Sequence, residues 1–383
     1  MASGKTAIVG IASTSYTKLY RAPEPDLTIE QLGIGVLQAA LDDAGLNISQ
    51  IDGLITSAFP YYPSFAYRAG LRDVRFLMSY PMSGRMCAVA LDHASLVVQA
   101  RQADYVALVY ATDQRSAKVP YGRSDYPGEM YELAYGLTSP GAYYAMAYSQ
   151  YLHRYGYEKR EELLGAVSVG IRRHASMNPD AVFQRPLTLA EYMQARYIAR
   201  PLRLFDYCVP CDGAVCYIVT TVERARDLRK PPAVIAGVVE RAALRESFVP
   251  EDLWFSACQD MAKRLLGSTG QKVNEVSSLQ VYDNFSVAVP WALEGFGWCK
   301  RGEALQWLQD GRIEVGGELP VNTSGGMLSE AYLQGWNHHV EAVRQLRHEA
   351  GQRQVTDCRS VLYACLAPVC SATLLVRDEK LRS

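Results

Sequence analysis

QVYDNFSVAVPWALEGFGWC, residues 280–299, decides the architecture. A buried-strand pattern over Leu279–Phe285 ends in the polar run Tyr282-Asp283-Asn284, and a helical apolar pattern takes over from about Val287 to Phe296. A strand that ends in polar residues and turns straight into a helix is the repeating unit of an α/β sheet, and ligands bind at the carboxyl ends of such strands. The alternation recurs on both sides. Asp104–Thr112 (DYVALVYAT) is nearly all apolar, as a strand covered on both faces should be, and a helix over about Arg85–Ala100 precedes it. Thr6–Ala12 and Ile51–Phe59 read as strands. Between them Thr28 and Gln31 form a capping box, Leu32, Val36, Leu37, Ala40 and Leu41 recur at helical spacing, and Gly45 ends the helix. Downstream, strands are predicted at Gly213–Val222, from Ala233, at Val361–Leu366 and at Ser371–Val376. Helices are predicted near Asp252–Leu266, Gly302–Gln309 and Ser329–Ala350.

Composition narrows the function classes. The chain has 383 residues, 49% apolar and 21% charged, which excludes disordered and fibrous chains. Its 39 basic against 40 acidic residues lack the basic excess of a nucleic-acid binder. No apolar run approaches the ~18 residues of a membrane span, and the N-terminus does not read as a signal peptide. The nine cysteines are odd in number and scattered, which points to a reducing, cytoplasmic setting. Neither a P-loop nor a dinucleotide fingerprint is present, so ATP and NAD are not implied. The tyrosines stand out: 25, many of them in an irregular segment at 113–205 that interrupts the strand–helix pattern.

The most specific stretch is GGELPVNTSGGMLSEAYLQGW, residues 316–336, where paired glycines permit close backbone approach to a ligand. Together with AALDDAGLNISQIDGLI (39–55), PLTLAEYMQARYIARPLRLFDYCVPCDGAV (186–215), YDNFSVAVPWALEGFGW (282–298) and VRQLRHEAGQRQV (343–355), it resembles the thiolase superfamily in order and spacing. The similarity is to the sterol-carrier-protein-X-type thiolases and their lipid-transfer-protein-like relatives. It implies an α/β fold of two duplicated βαβαβαββ halves in a five-layered α/β/α/β/α sandwich. The halves would be residues 1–232, with a loop domain inserted over the active site at 113–205, and residues 233–383. It also implies an obligate dimer.

The departures from the family carry the functional reading. A thiolase needs a nucleophilic Cys at a helix N-terminus. Family spacing places that position at Gly84, and Cys87 lies three residues beyond, which reads as a core cysteine. The catalytic His of the family's Gly-His-Pro turn is replaced by Tyr332, in Ala331–Gly335. The residue opening its Asn-Glu-Ala-Phe or His-Asp-Cys-Phe motif is replaced by Tyr282. The last family Cys falls on Ala364 or Cys365, depending on a one-residue shift.

A retro-aldol cleavage needs an acid, a base and an oxyanion site, and no covalent nucleophile. The resemblance to lipid-transfer-protein-like aldolases implies cleavage of a β-hydroxyacyl-CoA, such as a steroid 17-hydroxyacyl-CoA, to a ketone and a short acyl-CoA such as propionyl-CoA. Tyr282 and Tyr332 are the expected acid/base pair, without assignment of which is which. Backbone N–H groups at Gly325–Gly326 or Gly84 are oxyanion candidates, or belong to plain turns. Asp283 and Asn284 either orient a tyrosine or the thioester, or cap a strand end. The resemblance implies no cofactor, since acyl-CoA enters as substrate. It also implies a heteromeric complex with an acyl-CoA-binding partner built on an OB-fold with a zinc ribbon. Two other readings stand beside it: an acyl-CoA acyltransferase (thiolase) with a misplaced cysteine, and a non-catalytic scaffold subunit.

Weaker signals are read structurally. Cys208-Val-Pro-Cys211 lacks a second ligand pair for zinc and reads as packing, and His338 and His339 read as surface or interface. The Tyr-rich insertion suits either a substrate lid or a dimer interface. Its Arg172, Arg173, Arg185, Arg196 and Arg200 bind CoA phosphates or face solvent.

Overall fold

The computed structural model describes residues 4–22, 27–57, 59, 61–80, 84–119, 133–242 and 249–378. Its sheet strands are β1 (Thr6–Ser13), β2 (Gly53–Ser57), β3 (Phe76–Tyr80), β4 (Val106–Thr112), β7 (Gly213–Thr221), β8 (Ala233–Ala242), β9 (Ser278–Val281), β10 (Ser360–Cys365) and β11 (Val369–Arg377). A separate two-stranded ribbon joins β5 (Tyr197–Ala199) and β6 (Leu202–Arg203). The helices that matter here are α1 (Ile29–Ala44), α2 (Cys87–Gln99), α3 (Pro140–Tyr155), α4 (Glu162–Ser176), α5 (Phe255–Thr269), α6 (Ala288–Phe296) and α7 (Trp336–Leu346). None of the described helices is long and apolar enough to cross a membrane.

The duplication, invisible in the residues, is plain in the pairing. Strand order runs β3-β2-β4-β7-β1-β8-β11-β10-β9. In the first half β2 lies parallel to both β3 and β4, β4 is antiparallel to β7, and β7 to β1. In the second half β9 is parallel to β10 and to a single bridge at Val321, β10 is antiparallel to β11, and β11 to β8. The senses match position for position. The halves meet where β1 pairs with β8 at Ala7–Val234 and Ile8–Ala233.

Side-chain alternation along the strands builds the layers. Ala7, Val9, Ala107, Val109, Cys216 and Ile218 face outward onto Val36, Leu37 and Ala40 of α1. Ile8, Leu108, Tyr217 and Val219 face inward onto α2 and α7, which Ile235, Val238, Val361 and Tyr363 of the second half cover from the other side. The outer face of the second half holds Leu279, Val281, Leu362 and Ala364 against α5 and α6. Helix, sheet, helices, sheet, helix: this is the five-layered sandwich. Gly10 is required where α1 crosses β1, because a Cβ there would lie 2.4 Å from the Ala40 carbonyl oxygen.

Local readings hold where capping chemistry is strong: Thr28 and Gln31 form the capping box, and Gly45 closes the helix at φ 74°. Two differ. The strand predicted over Leu279–Phe285 stops at Val281, so Tyr282-Asp283-Asn284 is loop. The helix predicted from Ser329 begins at Trp336, because Gln334 and Gly335 take positive φ and Ala331 is extended. A strand at Phe76–Tyr80 escapes the sequence pattern.

Helices α3 and α4 leave the first half in sequence yet pack on the second. Tyr144 packs its ring, tilted, against Phe285 at 4.3 Å and stacks on Trp291 at 5.8 Å. A buried carboxylate locks this docking. Asp206 accepts from the hydroxyls of Ser286 (2.6 Å) and Tyr192 (3.0 Å) and from the Arg203 N–H (2.7 Å). Burial outweighs these donors and pushes its carboxyl up to about 6. An acid raised in the folded state loses its stabilising contribution as pH rises from the unfolded value near 4 through 6. A shift of roughly two units corresponds to about 3 kcal/mol. Asp206→Asn should therefore remove a fall in stability between pH 4.5 and 7 that the parent shows in parallel urea titrations. Identical pH slopes in the two proteins would refute this.

Candidate active site

Tyr282 and Tyr332 come together from different loops. Tyr282 follows β9 and is fixed by its N–H donating to the Ala364 carbonyl at 2.8 Å. Tyr332 follows a π-helical turn over Gly326–Glu330, and its N–H donates to the Val209 carbonyl at 3.1 Å. Their hydroxyls are hydrogen-bonded at 3.2 Å, and both side chains are buried. Burial pushes both phenols above the ordinary tyrosine value, and the guanidinium of Arg85 pulls in the opposite direction on both.

Asp283 ties the two loops. Its carboxylate accepts from the N–H groups of Met327 (2.8 Å) and Leu328 (3.3 Å), in the turn that leads to Tyr332. Gly326, at φ 55°, is required there: a Cβ would sit 2.3 Å from Asp283 Oδ2. Gly325, at φ 106°, packs against Ala175 in the same way. The Gly325 N–H donates to the Asn322 carbonyl. Gly326 therefore makes room for Asp283 and Gly325 for Ala175, and the N–H groups that follow the pair serve that carboxylate. Asn322 reinforces the junction by pairing its side chain with both the N–H (2.7 Å) and the carbonyl (3.0 Å) of Val281. Asn284 hydrogen-bonds Tyr144 of the insertion, and its carbonyl accepts from the Cys208 N–H at 3.1 Å. Gly84 opens a 3-10 turn, Gly84–Met86, that runs into the N-terminus of α2.

The thiols are accounted for. The α-helix starts at Cys87 itself, so this residue does stand at a helix N-terminus. Burial nevertheless pushes its thiol up to about 12, and the S–H donates to the Tyr363 hydroxyl at 3.2 Å. On β10 the one-residue ambiguity resolves by alternation. Cys365 faces the inner cluster that holds both tyrosines, while Ala364 faces the outer one. Burial also pushes the Cys365 thiol well up. Cys208 and Cys211 are buried in the loop that threads beneath Tyr332. Among the described residues, no group of three or more His, Cys, Asp or Glu side chains could hold a metal.

Other expectations are corrected. His338 and His339 are fully buried, because α7 lies in the middle layer with a sheet on each side. The tyrosines of the insertion mostly build its core: Tyr143, Tyr144, Tyr148, Tyr151, Tyr157 and Tyr192 are all buried. Residues 120–132, with Tyr121, Tyr126 and Tyr131, lie outside the described residues. Of the five arginines, Arg173, Arg185 and Arg200 face solvent, one of the two readings, and pair with Glu314, with Glu191 at 2.7 Å and with Glu161 at 3.7 Å. Arg172 is buried, donating to Ser329 beneath the Phe183 ring. Sequence reasoning missed Arg85, Tyr144, Tyr363 and His338. Tyr363 was within reach, since strict alternation on β10 puts it on the same face as Cys365.

Known proteins share this fold. Residues 242–376 match the family described as Thiolase C-terminal domain-like. The chain is 35% identical to the 17-hydroxy-3-oxo-4-pregnene-20-carboxyl-CoA lyase of Mycobacterium tuberculosis, over 91% of this chain and 92% of that protein. It is 33% identical to the steroid side-chain-cleaving aldolase of Thermomonospora curvata, over 98% of this chain and 99% of that one. Among solved structures, the "Ltp2-ChsH2(DUF35) aldolase" superposes with a TM-score of 0.89 at 32% identity, covering 100% of both chains.

Proposed function

The chain belongs to the steroid side-chain-cleaving aldolases of the thiolase superfamily, and from that premise we propose that it cleaves a β-hydroxyacyl-CoA by retro-aldol chemistry run by Tyr282 and Tyr332. The observation that carries the reading is the buried 3.2 Å bond between their hydroxyls, in a fold whose cysteine at the helix N-terminus is pinned as a thiol. One hydroxyl accepts the substrate's β-hydroxyl proton while passing its own across the bond. The C–C bond breaks to a ketone and a thioester enolate, and the second hydroxyl protonates the enolate carbon. Protons balance without a free phenolate, which suits two phenols that burial holds high. The turn at Gly84 and the N-terminus of α2 favour the enolate oxygen.

The relatives' names support a 17-hydroxy steroid acyl-CoA as substrate, with a short acyl-CoA such as propionyl-CoA released. The pairing of two proteins in the Ltp2-ChsH2(DUF35) aldolase supports a complex with a partner protein; in our reading that partner is an OB-fold, zinc-ribbon protein that holds the acyl-CoA, and the complex is built on a homodimer of this chain. The reading calls for no cofactor. Nine free cysteines, eight of them buried, suit a cytoplasmic setting.

A direct test separates this reaction from thiolysis. The chain with its partner should convert a 17-hydroxy steroid acyl-CoA without free CoA, and Cys87→Ala should retain turnover. A requirement for stoichiometric CoA, with activity abolished in Cys87→Ala, would establish a thiolase instead.

A further inference from the structure

Behind the tyrosines runs a file of buried polar groups. Arg353 grips Glu341 through two nitrogens, at 3.0 and 3.3 Å. Glu341 accepts the Thr323 hydroxyl at 2.8 Å, and Thr323 Oγ1 accepts from Gln280 Nε2 at 3.2 Å. Gln280 Oε1 lies 3.3 Å from His338 Nδ1, and His338 Nε2 lies 3.2 Å from Asp283 Oδ1. Every member is less than one-tenth exposed.

The direction of each bond is forced from one end. The Thr323 hydroxyl has a single hydrogen, and the Glu341 carboxylate can only accept, so Thr323 must accept from the Gln280 amide nitrogen. The amide oxygen is thereby aimed at His338, whose Nδ1 must donate. That bond fixes the ring, and with Nδ1 donating, Nε2 carries a hydrogen toward Asp283 only in the imidazolium; it stands 3.2 Å from Oδ1 as an ion-pair contact without the alignment of a hydrogen bond. Asp283 in turn is adjacent to Tyr282 and clamps the turn that carries Tyr332. A buried polar file of this length is costly unless its members are paired, and each bond made stiffens it. Nothing in the retro-aldol steps uses it chemically.

We propose that His338 is a positioning residue: through Asp283 it sets the separation and facing of the Tyr282 and Tyr332 hydroxyls, with the file to Glu341–Arg353 holding its orientation. This rests on the Tyr282–Tyr332 reading of the site. It assigns a catalytic consequence to a histidine that touches neither tyrosine hydroxyl.

His338→Phe keeps the ring against Tyr363 and removes both nitrogens. In the reconstituted complex, kcat should fall about tenfold or more with KM unchanged, the pattern of a group acting only on the chemical step. In a Tyr332→Phe background the same replacement should have no further effect, because it acts through that residue. His338→Gln, whose amide nitrogen can donate to Asp283, should recover part of the loss. Gln280→Met, which cuts the next link without touching Asp283, should lower kcat in the same direction by less, and stands in should His338→Phe not fold. A full additional loss in the Tyr332→Phe background, or kcat unchanged in both His338→Phe and Gln280→Met, overturns the proposal. Failure of the parent complex to cleave any β-hydroxyacyl-CoA would overturn the functional reading instead. The positioning would then be judged by a crystal structure of His338→Phe: a hydroxyl separation still at the parent distance overturns it, and a changed one supports it.

Discussion

Tyr332→Phe lowers kcat by about 100-fold or more in the assembled complex, the usual size of a lost acid/base step, and Tyr282→Phe does the same. Each replacement removes one oxygen and leaves a ring of the same shape in a packed site, so the fold is retained. What disappears is the 3.2 Å bond between the hydroxyls and with it the passage for the proton. The two act as a unit, so the double replacement should cost little more than the worse single one. Burial holds both phenols above their ordinary range, so neither titrates near neutrality and their contribution to kcat should be flat from pH 6 to 9. If both single variants keep the parent's rate, the chain is a scaffold and the chemistry lies in its partner.

The same two residues show how far the sequence reaches. Tyr282 and Tyr332 could be picked out because they replace catalytic residues of a recognisable family pattern, although only the fold brings them within 3.2 Å across 50 residues of chain. Thr28 with Gln31, and Gly45, were legible because caps are local chemistry. His338 was not. Sequence patterns assign polar helix residues to solvent, a rule that holds for a helix with one covered face. Helix α7 has a sheet on both sides, so Asn337, His338, His339, Glu341 and Gln345 are all buried and must find partners inside the protein. Cys87 shows the limit in energetic terms. Sequence spacing argues it away from the helix start, the fold puts it there, and burial still outweighs the helix dipole.

Arg353→Leu should destabilise the protein by about 3 to 5 kcal/mol, the cost of leaving a buried carboxylate without its counter-charge. Burial alone would raise the Glu341 carboxyl, but the Arg353 charge and its two hydrogen bonds bring it below the usual carboxylate range. An acid lowered in the folded state contributes stability that is present above its unfolded value, near 4.5, and lost as pH falls through the folded one. Without Arg353, burial dominates, and Glu341 prefers to fold protonated. The deficit of Arg353→Leu should then be largest at pH 8 and shrink toward pH 5, as the stranded carboxylate takes up a proton. Urea titrations of both proteins at the two pH values measure this directly. A deficit of equal size at both would mean that Arg353 contributes packing rather than charge. Should the ion-pair account hold, the loss must also reach Thr323 and Gln280, whose bond directions Glu341 dictates only while it is ionised. Arg353→Leu should therefore lower kcat at pH 5, where Glu341 is neutral, even though the protein has regained stability there.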